Sequence, residues 1–195
     1  GAMLAARRDV SVLFADLSGF TTLAESWQPA EVVSMLNCAF EHLTRAIFQY
    51  DGTLDKFLGD GVLAVFGAPV PQPDHAQRAV RAALLMQQLL GDCRLTGPQG
   101  TPIAMRIGIN SGPAVAGDIG SPLRKDYTVV GDAVNVASRL QSSVASPGQV
   151  VIGPATFDLC QHAFECEPLA EIRLKGKQQI VRPYLVLRER IDATI

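Results

Sequence analysis

The sequence predicts an α+β domain, a sheet covered by helices, and three observations carry that reading. Apolar runs rich in strand formers occupy residues 10–15, 53–58 and 62–66. Two longer stretches, 29–50 and 74–91, repeat apolar residues at helical spacing. No internal repeat, low-complexity segment or linker divides the 195 residues, a length within the ~100–200 expected of one domain.

The first run ends in Asp16-Leu-Ser-Gly-Phe20, which places a carboxylate at the end of a strand. A short helix is expected over residues 21–26. Pro29 suits a first helical position, and Val32, Val33, Leu36, Phe40, Leu43 and Ile47 form one apolar stripe that stops at Asp51-Gly52. The next two runs flank Gly59-Asp60-Gly61, and an Asp-Gly between apolar runs is a strong hairpin signal. Asp60 therefore sits at a rigid sheet tip, and if its strand neighbours the first one, Asp16 and Asp60 point at one spot. After a proline-rich loop, Asp74 is placed to cap a helix with Ala76, Ala79, Val80, Ala83 and Leu90 on its buried face, closed by Gly91.

Beyond a loop at 97–102, residues 103–109 and 114–116 read as two strands joined through Asn110-Ser-Gly-Pro113. The glycines there match neither the P-loop nor the dinucleotide-binding spacing, so a hairpin is expected instead of a phosphate cradle. Residues 127–130 form a further strand, and Gly131-Asp132 opens a helix to about Ser143 with Val134, Ala137, Ser138 and Leu140 for packing. Asn135 and Arg139, four apart, share one face of it. Strands at 150–152, 171–174 and 182–187 and a short helix at 154–160 complete the set.

Composition narrows the function. With 17 basic against 19 acidic residues, the net charge of -2 gives no general attraction to nucleic acid or to an anionic membrane. No apolar run reaches the ~20 residues that span a bilayer, and no signal peptide is visible, so a cytoplasmic protein is expected. Cys38, Cys93, Cys160 and Cys166 show no metal or disulfide spacing and read, like His42, His75 and His162, as structural. Gly1-Ala2-Met3 resembles a tag-cleavage scar, leaving residues 4–195 as a single domain expected to be excised from a larger multidomain protein.

Taken singly, the polar residues have ordinary roles. Asp60 is a turn former, Asp16 a helix cap, Lys56 a solvated strand residue, Thr128 a β-branched strand former, Asn135 and Arg139 a polar helix face, and Lys175 a charged turn. Together, in order, they are another matter. Leu13-Phe-Ala-Asp-Leu-Ser-Gly-Phe20, Asp55-Lys-Phe-Leu-Gly-Asp-Gly61, Arg106-Ile-Gly-Ile-Asn-Ser-Gly112, Tyr127-Thr-Val-Val-Gly-Asp-Ala-Val-Asn-Val-Ala-Ser-Arg-Leu140 and Leu174-Lys-Gly-Lys177 resemble the class III nucleotidyl cyclases, which make cyclic AMP or cyclic GMP. The seven-residue step from Thr128 to Asn135, followed by four more to Arg139, is far more specific than any one motif.

The resemblance implies a ferredoxin-like antiparallel sheet with flanking helices, and chemistry in which a ribose 3′-hydroxyl attacks the α-phosphate. Two divalent cations, Mg²⁺ or Mn²⁺, would be bridged by Asp16 and Asp60 with the backbone carbonyl of Leu17. Amides around Gly19 and Phe20 would receive phosphate oxygens, Lys175 would bind the triphosphate, Asn135 would hold the ribose, and Arg139 would meet the charge developing on the α-phosphate. Lys56 would donate to N1 of adenine and Thr128 would accept from its 6-amino group.

Threonine at 128 places the resemblance nearest the bicarbonate-responsive adenylyl cyclases, and lysine at 56 argues for ATP. It also implies a homodimer with two composite sites, the metal carboxylates of one chain meeting Asn135 and Arg139 of the other. A guanylyl or dual-substrate cyclase and a catalytically silent cyclase-like regulatory domain are the alternatives. A diguanylate cyclase is disfavoured, because the Leu-Gly-Asp-Gly-Val62 turn lacks the signature that chemistry needs.

Overall fold

Strand β1 (Ala6–Leu17) is the axis on which the rest is assembled, and its apolar run, interrupted only by Ser11 between Val10 and Ala15, has a simple cause: both faces of the strand are covered. Leu13, Ala15 and Leu17 alternate onto one face, Val10 and Val12 onto the other, and all five are buried. The computed structural model describes residues 4–92, 103–174 and 179–191.

On one side β1 pairs antiparallel with β3 (Gly61–Phe66), which pairs with β2 (Thr53–Leu58); on the other it pairs with the long β4 (Met105–Ser121). Helices α1 (Phe20–Ala24) and α2 (Pro29–Gln49) connect β1 to β2, and α3 (His75–Asp92) connects β3 to β4. This βαββαβ unit, in spatial order β2-β3-β1-β4, is the expected ferredoxin-like core.

The sheet then extends beyond it. β5 (Arg124–Val130) pairs with the far half of β4, and β6 (Val150–Ile152) lies parallel to the near half. β10 (Tyr184–Glu189) and β7 (Phe164–Pro168) finish that edge, while β8 (Ile172–Arg173) and β9 (Ile180–Val181) form a separate small ribbon.

One layer of the core lies under α2 and α3, where Leu43, Ile47, Val80 and Met86 pack on Leu13, Phe66, Ile107 and Ile109. Helix α4 (Asp132–Arg139) covers the opposite face through Ala133 and Ala137, then runs into a π-helical turn, Leu140–Val144. Gly108 permits that docking. A methyl group there would stand 2.4 Å from the Gln141 amide nitrogen and 2.7 Å from the Ala137 carbonyl. Gly108→Ala is therefore expected to cost about 1–3 kcal/mol of stability by pushing α4 off the sheet, read as a lower urea midpoint in equilibrium unfolding.

Several expectations change. The hairpin at Asn110-Ser-Gly-Pro113 does not exist; these residues lie inside β4. Proline is tolerated because Pro113 faces β1 on one edge and, on the other, falls between the stretch paired to β6 (Ile107–Ile109) and that paired to β5 (Val115–Ser121). The buried face of α2 is rotated: Met35, Ala39, Leu43, Ala46 and Ile47 are inside and Val33 is 56% exposed. Gly91 lies within α3 instead of closing it. Strand β7 was not foreseen, because Glu165 and Glu167 break the apolar pattern of an edge strand.

Cys160 and His75 are buried in the fold. Cys160 and Cys166 form no disulfide, and burial pushes the Cys160 thiol up to about 12, leaving it unreactive. His75 sits beneath the sheet with Nδ1 2.7 Å from Ser11 Oγ, at the end of a buried hydroxyl chain through Ser111 to Thr156. Cys93 lies outside the described residues.

Candidate active site

Antiparallel pairing of β1 with β3 sets Asp16 opposite Gly61, so the strand end that carries Asp16 lies against the turn that carries Asp60. The Leu17 amide donates to the Asp60 carbonyl at 3.1 Å and fixes that approach. Two glycines make it possible. Gly59, at φ +59°, is the left-handed residue of a two-residue turn between Leu58 and Gly61. Gly61 is needed for closeness: a side-chain carbon there would lie 2.3 Å from the Ala15 carbonyl oxygen and 2.9 Å from Cβ of Asp16.

The charges around this pair are unbalanced. Burial raises the Asp60 carboxyl above its ordinary range; its own backbone amide and the Arg106 guanidinium pull it back, and the charge of Asp16 pushes it further up. Arg106, which faces Asp16 across the β1–β4 ladder, places Nη2 3.5 Å from Asp16 Oδ2 and donates through Nη1 to the Ser142 carbonyl at 3.4 Å. Asp16 Oδ1, Ser18 Oγ and Arg106 Nε are buried without a hydrogen-bond partner among the described residues.

Among the described residues no group of three His, Cys, Asp or Glu is close enough to hold a metal ion. The pair fits one all the same, because a hard cation takes carboxylate and carbonyl oxygens and completes its shell from phosphates and water. The unpartnered Oδ1 of Asp16 is an acceptor awaiting a positive charge, and the Leu17 carbonyl follows it in the chain. Sequence reasoning quoted Arg106 within a motif but gave it no role. The available signal was a lone charge inside the apolar run at 103–109.

A second cluster forms where β2 approaches β5. Thr128 on β5 donates its hydroxyl to Asp55 Oδ2 at 2.7 Å, and the Lys56 ammonium lies 3.9 Å from Asp55 Oδ1. The Asp55 side chain is 1% exposed. Burial raises its carboxyl above the usual range, while Thr128, Lys56 and the Val129 amide pull it back. Asp55 was also missed, since beside a lysine it reads as half of an exposed charge pair.

The third group stands on α4. Gly131, at φ +146°, turns the chain from β5 into the helix, whose buried Ala133, Val136 and Ala137 leave Asn135 exposed and Arg139 half-buried on another face. No hydrogen bond or ion pair of the described residues joins these two side chains to either cluster. At the start of α1, Gly19 has φ +71° and Phe20 buries its ring in the core, so these two residues can offer a ligand only their backbone. Lys175 lies outside the described residues.

The family model for the adenylate and guanylate cyclase catalytic domain matches residues 4–187. The chain belongs to this class III cyclase family. Adenylate cyclase 1 of Rhizobium meliloti is 35% identical over 190 residues, covering 96% of this chain and 29% of that protein. The cyclase domain thus spans under a third of that relative's length. Its structure superposes on the adenylyl cyclase CyaB of P. aeruginosa with a TM-score of 0.88 at 32% identity, covering 98% of this chain and all of the other. The guanylyl cyclase Cya2 matches equally well, with a TM-score of 0.89 at 35% identity and 98% coverage of both chains. Among the described residues, no helix of the cyclase domain is long and apolar enough to cross a membrane.

Proposed function

We propose that the cyclase domain is an adenylate cyclase that converts ATP to 3′,5′-cyclic AMP and pyrophosphate at a homodimer interface. The observation that carries the reading is the meeting of Asp16 and Asp60 at one sheet end, with a buried Asp16 oxygen that has no hydrogen-bond partner among the described residues. Two divalent cations held there, Mg²⁺ or Mn²⁺, would supply an acidified 3′-hydroxyl and neutralise phosphate charge. The chain's own groups do the rest. Arg106, next to the carboxylates, is placed to turn its guanidinium to the triphosphate, alongside Lys175 and the amides of Gly19 and Phe20. Asn135 holds the ribose, and Arg139 stabilises charge that develops on the α-phosphate.

Preference for ATP rests on the base edge. Lys56 offers a donor to N1 and Thr128 an acceptor to the 6-amino group, the complement of adenine and the reverse of guanine. The adenylate cyclase of Rhizobium meliloti supports this choice, and the likeness to Cya2 favours a guanylate or dual-specificity reading instead. A silent regulatory domain is disfavoured by the complete set of catalytic residue types. Stimulation by bicarbonate accompanies the adenylate reading through Thr128 alone.

The homodimer reading is supported by Asn135 and Arg139, which among the described residues bond to neither cluster of their own chain. Purified protein with Mn²⁺ or Mg²⁺ is expected to make cyclic AMP from ATP faster than cyclic GMP from GTP, with products identified by chromatography. Specific activity should rise with bicarbonate and fall on dilution as dimers separate. Dominant cyclic GMP, or no cyclic nucleotide at all, would overturn the assignment.

A further inference from the structure

We infer that Asp55 is a positioning residue for base recognition: by taking the hydroxyl proton of Thr128 it leaves that oxygen able only to accept, and so sets the site for adenine. The inference rests on the reading of Lys56 and Thr128 as the pair that meets the purine, and it goes beyond that reading by naming what gives the pair its polarity.

A threonine hydroxyl is ambiguous by itself. It can accept from the 6-amino group of adenine or donate to the 6-oxo group of guanine, and rotation about its C–O bond costs little. Here the rotor is not free. An ionised carboxylate can only accept, so the 2.7 Å contact commits the Thr128 proton to Asp55 Oδ2 and turns the oxygen lone pairs elsewhere. The other carboxylate oxygen, Oδ1, lies 3.9 Å from the Lys56 ammonium. One buried carboxylate therefore flanks a fixed acceptor and a fixed donor, the two functions that adenine's 6-amino group and N1 require.

The backbone is shaped for this contact. The β2–β3 ladder slips between Leu54 and Lys56, so Asp55 is the extra residue of a β-bulge. A bulge frees its residue from the regular alternation and re-aims the side chain, here across to β5. Among the described residues Oδ1 has no hydrogen-bond partner, so there one buried acceptor is left without a donor. A purely structural tie between β2 and β5 would be better served by a neutral pair.

The test compares ATP with inosine triphosphate, whose base carries a 6-oxo group and an N1–H but no 2-amino group. Wild-type protein is expected to favour ATP in kcat/KM by at least about tenfold. Asp55→Asn can offer its amide N–H to Thr128 and release the hydroxyl to donate outward. It is expected to narrow the ATP-to-inosine triphosphate ratio by about tenfold, and Asp55→Ala, which frees the rotor, by less. In a Thr128→Val background, Asp55→Asn should leave the ratio unchanged.

A ratio measured on one preparation is independent of the fraction folded, so a merely structural role would not move it. Wild-type protein that uses both nucleotides equally, an unaltered ratio in Asp55→Asn, or the same shift with and without the Thr128 hydroxyl would each overturn the inference. Failure of the adenylate assignment looks different. Wild-type protein would then prefer GTP or make no cyclic nucleotide, before any variant is considered.

Discussion

Asp60→Asn is expected to lower cyclase turnover by at least about a thousandfold while making the metal-free protein more stable. The two effects have one origin. Asn at the second position of the turn keeps the Gly59-led geometry, so the hairpin survives, and only the charge is lost. Burial and the charge of Asp16 hold the folded-state Asp60 carboxyl above its ordinary value of 3.8. A raised carboxyl means that the folded protein binds the proton more tightly than the unfolded chain does. Its stabilising contribution is complete below about pH 3.8 and is lost as pH rises through the folded-state value, so at neutral pH the ionised group opposes folding.

Thermal unfolding without metal at pH 7.5 should therefore give the variant the higher Tm, with the gap closing as pH falls toward 3.8. Added Mn²⁺ should raise the Tm of wild-type protein and not that of the variant. A variant that retained turnover, or that responded to Mn²⁺ as wild-type protein does, would remove the carboxylate pair from the chemistry.

The second large effect belongs to α4. Arg139→Ala is expected to reduce kcat by about 10²–10³ with little change in KM, because the guanidinium acts on charge that appears in the transition state. Mixing it with Asp60→Asn, each strongly impaired alone, should restore activity. With random exchange half of the dimers are mixed and each has one intact site of two, so recovery should approach about a quarter of the wild-type specific activity. No recovery after subunit exchange would mean that both residues serve the same site, and the composite arrangement would fall.

Much of the fold was legible because local pattern and burial agree. The hairpin around Gly59-Asp60, the buried face of α3 and the whole of the short helix Pro154–Cys160 follow from turn chemistry, helical period and a leading proline. The misreadings have equally local causes. Asn110-Ser-Gly-Pro113 has every mark of a turn, yet β4 passes straight through it, since a proline is harmless where no neighbour needs its N–H. On α2, Val33 fits the apolar stripe by spacing but faces outward, because alanines 39 and 46 let the helix sit closer on a rotated face.

By itself, the sequence determined which residue types are present, in what order, and the strands, turns and helices that carry them. From these followed the α+β class, the carboxylate at each of two strand ends, and the helix face shared by Asn135 and Arg139. Tertiary structure alone decided what meets what. Arg106 reaches Asp16 from 90 positions away, and Thr128 reaches Asp55 across 73. Period and propensity report how a segment folds and which face it buries, whereas strand register and a one-residue bulge are fixed by long-range pairing, which leaves no mark in the segment itself.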